Sequence, residues 1–107
     1  LLALAQEALA DVKARDVRVM DVRDLTPMAD YMVVASGTSD RHVKSLADHV
    51  IAQATAAGCP VIGIEGREGG EWVLVDLQDV VVHIMQPKAR EFIKLENLWD
   101  MGSVATA

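Results

Sequence analysis

Cysteine is almost missing from this chain. Cys59 is the only one among 107 residues, so no internal disulfide can form and no zinc knuckle can be built. That usage suits a reducing cytoplasm. Basic charge is also in short supply. Lys and Arg total 10 against 16 Asp and Glu, a formal net charge of −6. A surface this acidic is a poor direct grip for nucleic-acid phosphates, and a basic partner suits it better. Long apolar runs are absent too. None reaches the ~18–20 residues of a membrane span, and no signal-peptide pattern opens the chain. Repeats, low-complexity tracts and interdomain linkers are likewise lacking. The chain opens at Leu1 already inside a helical pattern, as expected of a sequence that continues upstream.

What is present is a core. The hydrophobic share is 51%, which excludes wholesale disorder, and the length fits one domain. That domain is expected over residues 1–99, with a frayed tail over 100–107. Leu1, Leu4, Ala5, Ala8, Leu9 and Val12 recur at helical spacing, which predicts a helix ending near Ala14. Residues 16–23 alternate and are rich in valine, as a half-buried strand would be. Tyr31 to Ala35 is a near-continuous apolar run, the mark of a strand buried on both faces.

Residues 40–57 give the clearest helix. Val43, Leu46, Ala47, Val50, Ile51 and Ala54 fill an arc of about 140°. Thr38 or Ser39 can cap its start and Gly58 can end it. Further strands are predicted over 60–65, 72–77 and 80–85, and a last helix over 88–99 behind Pro87. The fold class is α/β, a five-stranded mixed sheet with flanking helices in the order α-β-β-α-β-β-β-α. The second strand, second helix and third strand should form a parallel crossover, with the remaining strands antiparallel.

The two-residue connection Gln78-Asp79 sets a register. Leu77 faces Val80, Asp76 faces Val81, Val75 faces Val82, Leu74 faces His83, Val73 faces Ile84 and Trp72 faces Met85. Alternation then puts Val73, Val75, Leu77, Val80, Val82 and Ile84 on one wholly apolar face. The other face mixes Trp72, Leu74, Asp76, Val81, His83 and Met85. Either a helix covers it or it is open and meets a partner. The last helix adds a second hint. Phe92, Ile93, Leu95, Leu98 and Trp99 would spread over about 220°, more than one packing stripe requires.

Chemistry-bearing motifs are weak. Gly37-Thr38-Ser39 at a strand-to-helix turn could cradle an anion, but ordinary capping is the simpler account. A nucleotidyl transferase would also need carboxylates two apart on a strand to hold Mg²⁺. Asp76 and Asp79 are three apart across a turn. His42 and His49 lie about 10.5 Å apart along a helix, too far for one ion. Cys59, Ser36 and Ser39 have no identifiable base. No catalytic residue, cofactor site or metal site is assigned.

Several segments resemble the bacterial ribosomal silencing factors of the Iojap-related family. They are Ala29-Asp30-Tyr31, Ala35-Ser36-Gly37-Thr38-Ser39, Arg41-His42-Val43 with Leu46-Ala47-Asp48, Glu65-Gly66, and the run from Gly70-Glu71-Trp72 through Asp76-Leu77 to Asp79 and His83-Ile84-Met85. Pro87, Arg90-Glu91-Phe92 and Leu95-Glu96-Asn97-Leu98-Trp99 complete the likeness. Gln78 stands where the family usually has Gly, Ile93 where it has Tyr and Met32 where it has Phe. The resemblance implies a nucleotidyl-transferase-like fold without the catalytic carboxylates. It implies a translation repressor in the cytoplasm that binds large-subunit ribosomal protein fourteen and blocks joining of the small subunit. The partner surface is then expected at Trp72, Leu74, Asp76, Asp79, Val81, His83 and Met85 with Phe92 and Ile93. Two rivals are a nucleotide-binding enzyme using Gly37-Thr38-Ser39 and a homodimer that buries the same surface.

Overall fold

Two helices lie on one face of a five-stranded sheet, and the last helix begins on the other. The structure, a computed structural model, describes residues 1–94. The elements run α1 (Leu2–Asp11), β1 (Arg15–Asp21), β2 (Tyr31–Ser36), α2 (Asp40–Ala56), β3 (Gly63–Glu65), β4 (Trp72–Asp76), β5 (Val80–Met85) and α3 (Pro87–Ile93). This is the α/β order read from the sequence. The boundary expected at residue 99 and the tail over 100–107 lie outside the described residues.

The sheet order is β1-β2-β5-β4-β3. One part of the expected topology needs correction. β3 does run parallel to β2, as the crossover requires, with β5 and β4 between them, but the remaining strands are not all antiparallel: β2 pairs with β5 in parallel, Tyr31 opposite Val80 through Ser36 opposite Met85. The reason is burial. β2 and β5 are buried over almost all of their length, so each needs a strand on either side. β3 is short and largely exposed, which fits an edge. It covers only the end of the expected 60–65 strand.

The helix ends follow local chemistry. Ser39 caps α2, its Oγ accepting from the His42 amide at 3.1 Å. Both α1 and α2 stop in the same double-bonded motif. Ala14 N–H reaches Leu9 C=O and Lys13 N–H reaches Ala10 C=O, just as Cys59 N–H reaches Ala54 C=O and Gly58 N–H reaches Thr55 C=O. This halts α1 at Asp11, short of the expected Ala14. The third helix is also shorter than expected. It ends at Ile93, where Lys94 adopts a left-handed φ of 52°; the rest of the expected 88–99 span lies outside the described residues. Leu95, Leu98 and Trp99 lie outside the described residues.

The main core lies between α1, α2 and the sheet. It joins Leu9, Val43, Leu46 and Val50 to Val33, Val73, Val75, Val82 and Ile84, all with 0% exposure. A second cluster occupies the opposite face: Met20, Val22, Ala29, Met32, Val34 and Met85, with Val81 and Ala89 against it.

Candidate partner-binding face

The hairpin register is the one read from the sequence. Trp72 faces Met85, Leu74 faces His83 and Asp76 faces Val81. Leu77 N–H bonds to Val80 C=O across the end. The turn itself is strained. Gln78 has φ 73°, and Asp79 N–H bonds to Leu77 C=O, the three-residue pattern of a γ-turn. The Asp76 carboxylate steadies it by accepting from the Gln78 amide at 2.8 Å.

The face opposite the main core is narrower than expected. Trp72 is 37% exposed, Leu74, Asp76 and Val81 are half-buried and Asp79 is exposed. His83 and Met85 are not accessible, at 4% and 0%. They correct the expectation of a fully open face. Met85 belongs to the second apolar cluster, which the 22–29 connection and Ala89 of α3 complete. Buried His83 takes a bond from the Trp72 indole instead, Nε1–H to Nδ1 at 2.9 Å. Desolvation holds the His83 imidazole down to about 4.

The last helix is brought to the Trp72 end of this face. Gln86 N–H bonds to Glu71 C=O, and its side-chain amide to Gly70 C=O. Arg90 binds the Asp16 carbonyl at 2.6 Å and the buried Ser36 hydroxyl at 2.9 Å. It thereby ties α3 to the bulge where β1 shifts register between Arg15 and Arg18. Phe92 projects from α3 at 90% exposure. It lines a cleft of about 570 Å³ with Glu71, Gln86, Lys88, Ala89 and Glu91. Ile93 is the last residue of that helix. Arg90 and Gln86 were missed in the sequence, although Arg90 stood in a matched segment. Nothing local says that an arginine on α3 reaches a strand far back in the chain.

The residues before Trp72 are fixed by backbone contact. Gly66 has φ 81°, and a Cβ there would stand 2.1 Å from the Trp72 carbonyl oxygen. At the turn between β2 and α2, a Cβ on Gly37 would meet Val43 Cγ2 at 2.8 Å. This turn has few donors to offer an anion. Gly37 N–H binds Met85 C=O and Val43 N–H binds Ser39 C=O. Thr38 N–H binds His42 Nδ1, Arg41 N–H the Asp40 carboxylate and His42 N–H the Ser39 hydroxyl. Both histidines of α2 serve packing. His42 Nε2–H donates to Val12 C=O at 2.7 Å, and His49 Nε2 lies 3.0 Å from the Asp11 carboxylate. Among the described residues no metal-binding cluster is found.

Comparison with known proteins decides the family. Residues 1–106 match the family described as "Ribosomal silencing factor during starvation". The chain belongs to the ribosomal silencing factors. It is 48% identical over 96 residues to the ribosomal silencing factor of Chromobacterium violaceum, covering 90% of this chain and 79% of that protein. A crystal structure of a Chromobacterium violaceum protein superposes with a TM-score of 0.92 at 46% identity, over 92% of this chain and 82% of that one. A mouse relative, "Mitochondrial assembly of ribosomal large subunit protein 1", is 35% identical over 98 residues, 89% of this chain and 43% of its own length. The family name denotes silencing of ribosomes and indicates no catalytic activity. Among the described residues no helix is long and apolar enough to cross a membrane.

Proposed function

We propose that this silencing factor is a cytoplasmic, non-enzymatic translation repressor. It docks on the large ribosomal subunit through large-subunit ribosomal protein fourteen and obstructs joining of the small subunit. Its family and the name of the mouse relative support the large subunit as target. The observation that carries the reading is Trp72, a large aromatic 37% exposed on a sheet face where Leu74 and Val81 are half-buried. Aromatic side chains with partial exposure and apolar neighbours anchor interfaces. Leu74 and Val81 extend the contact, Asp76 and Asp79 border it with negative charge, and Phe92, next to Ile93 in the sequence, continues it on α3. His83 and Met85 support the surface from beneath. A basic ribosomal protein complements such a border better than bare RNA does.

The test is subunit joining. Purified large and small subunits are mixed with increasing amounts of the chain, and joined particles are counted by sedimentation. Joining should fall, and the effect should weaken with added salt. Undiminished joining at saturating chain overturns the reading. Light scattering on the free chain tests the competing occupant of this face, a second copy. A nucleotide role at Gly37-Thr38-Ser39 is not favoured, because the Gly37 and Thr38 amides are already bonded within the fold. Calorimetric titration with ATP and Mg²⁺ should give no micromolar isotherm.

A further inference from the structure

We propose that His83 is a positioning residue for partner binding: its buried Nδ1 holds the Trp72 indole in one orientation, so that a fixed aromatic surface meets the large subunit. The inference rests on the ribosomal reading above and goes beyond it to the device that presents the contact.

Three observations carry it. Trp72 lies at the start of β4, where a partly exposed indole could rotate about two side-chain bonds and give its N–H to water. Its Nε1–H instead donates to His83 Nδ1 at 2.9 Å. The two residues are diagonal neighbours across the hairpin, because Trp72 faces Met85 and Leu74 faces His83. That diagonal is within reach of aromatic side chains. The rings also pack, with centroids 5.8 Å apart and planes inclined at 36°, inside the range of favourable aromatic contacts.

The second observation concerns the histidine. It is 4% exposed, between strands whose other buried side chains on this face are largely apolar. A leucine or phenylalanine would fill that place without the cost of burying a polar ring. Accepting at Nδ1 fixes the neutral tautomer with its proton on Nε2. Among the described residues Trp72 is the hydrogen-bond partner of this ring. The acceptor therefore has one evident use.

The third observation is that the backbone on either side is already fixed. Gly66 packs against the Trp72 carbonyl, and Gln86 holds Glu71. What remains free at Trp72 is the side chain, and His83 removes that freedom. Ordering an interface side chain in advance is worth roughly three- to tenfold in affinity.

The experiment is a double-mutant cycle on isolated large subunits with four full-length chains: wild type, Trp72→Ala, His83→Phe and the double variant. Thermal melts accompany each. His83→Phe should lose roughly three- to tenfold in affinity, and it should lose nothing further in the Trp72→Ala background. His83→Asn, which keeps an acceptor close to Nδ1, should recover most of the loss. In the free chain, the indole N–H resonance that disappears in Trp72→Ala should exchange slowly in wild type and fast in His83→Phe. Equal losses in both backgrounds would show ordinary core packing and overturn the proposal. Full affinity of either single variant would overturn it as well. If His83→Phe does not fold, Trp72→Phe removes the same donor from the exposed side and should show the same loss; unchanged binding then refutes the idea. A wild type that fails to bind large subunits sinks the functional reading and this one together. A wild type that binds with additive losses sinks this one alone.

Discussion

Gln78 shows how one residue can strain a well-determined hairpin. Its φ of 73° is a conformation that costs a residue with a Cβ about 1–2 kcal/mol. Gln78→Gly should raise stability by about 1 kcal/mol, read as a higher denaturation midpoint with an unchanged denaturant slope. His83 offers a second check at this scale. Its folded pKa is lowered from 6.5 to about 4 by burial. The unfolded chain therefore takes up a proton first as pH falls. The contribution of His83 to stability is complete above pH 6.5 and is lost progressively down to about pH 4, amounting to about 3 kcal/mol. Carboxylates titrate in the same interval, so the measurement is a difference. Melts of wild type and His83→Phe from pH 8 to pH 5 should diverge, with the wild type falling more steeply.

At the scale of the element, α3 is the piece whose role differs most from its sequence pattern. Its seven residues are too few to be stable alone. Its position comes from Pro87 at the start, Gln86 against Glu71 and Gly70, and Arg90 against Asp16 and Ser36. Phe92 takes no part in this anchoring and is 90% exposed. Phe92→Lys should leave the melting temperature nearly unchanged, within about 0.5 kcal/mol, and reduce binding to large subunits. A large loss of stability would assign Phe92 to packing. Arg90→Ala is the converse case. It strips the partner from a buried hydroxyl, which costs about 1–3 kcal/mol, and should lower stability and binding together.

For the whole molecule, the two faces of the hairpin divide the work. The Val73, Val75, Leu77 face is the floor of the main core, and the Trp72, Leu74 face is the proposed contact. Val75→Asp should abolish folding, since it places an unpaired charge at a site with 0% exposure. Trp72→Ala should keep the fold and lose about tenfold or more in affinity for the large subunit. Circular dichroism and large-subunit binding on the same two proteins check the split. A Val75→Asp chain that folds normally would contradict the assignment of the core face.

The features that local spacing controls were legible before any fold was known. The hairpin register followed from a two-residue connection and from alternation, because covalent geometry leaves few ways to close such a turn. The α2 stripe, a cap at Thr38 or Ser39 and the Gly58 stop followed from the helical repeat and from the groups a helix end leaves unbonded. Trp72 was marked for the same reason: alternation placed it away from the valines. Three things were decided by the tertiary structure alone. One is the insertion of β5 between β2 and β4. Another is the second apolar cluster on the far face. The third is the burial of His83 and Met85. Each depends on segments far apart in the chain competing for the same apolar surface. Periodicity tells which faces of a strand want burial; which segment covers them is settled only when the whole chain packs.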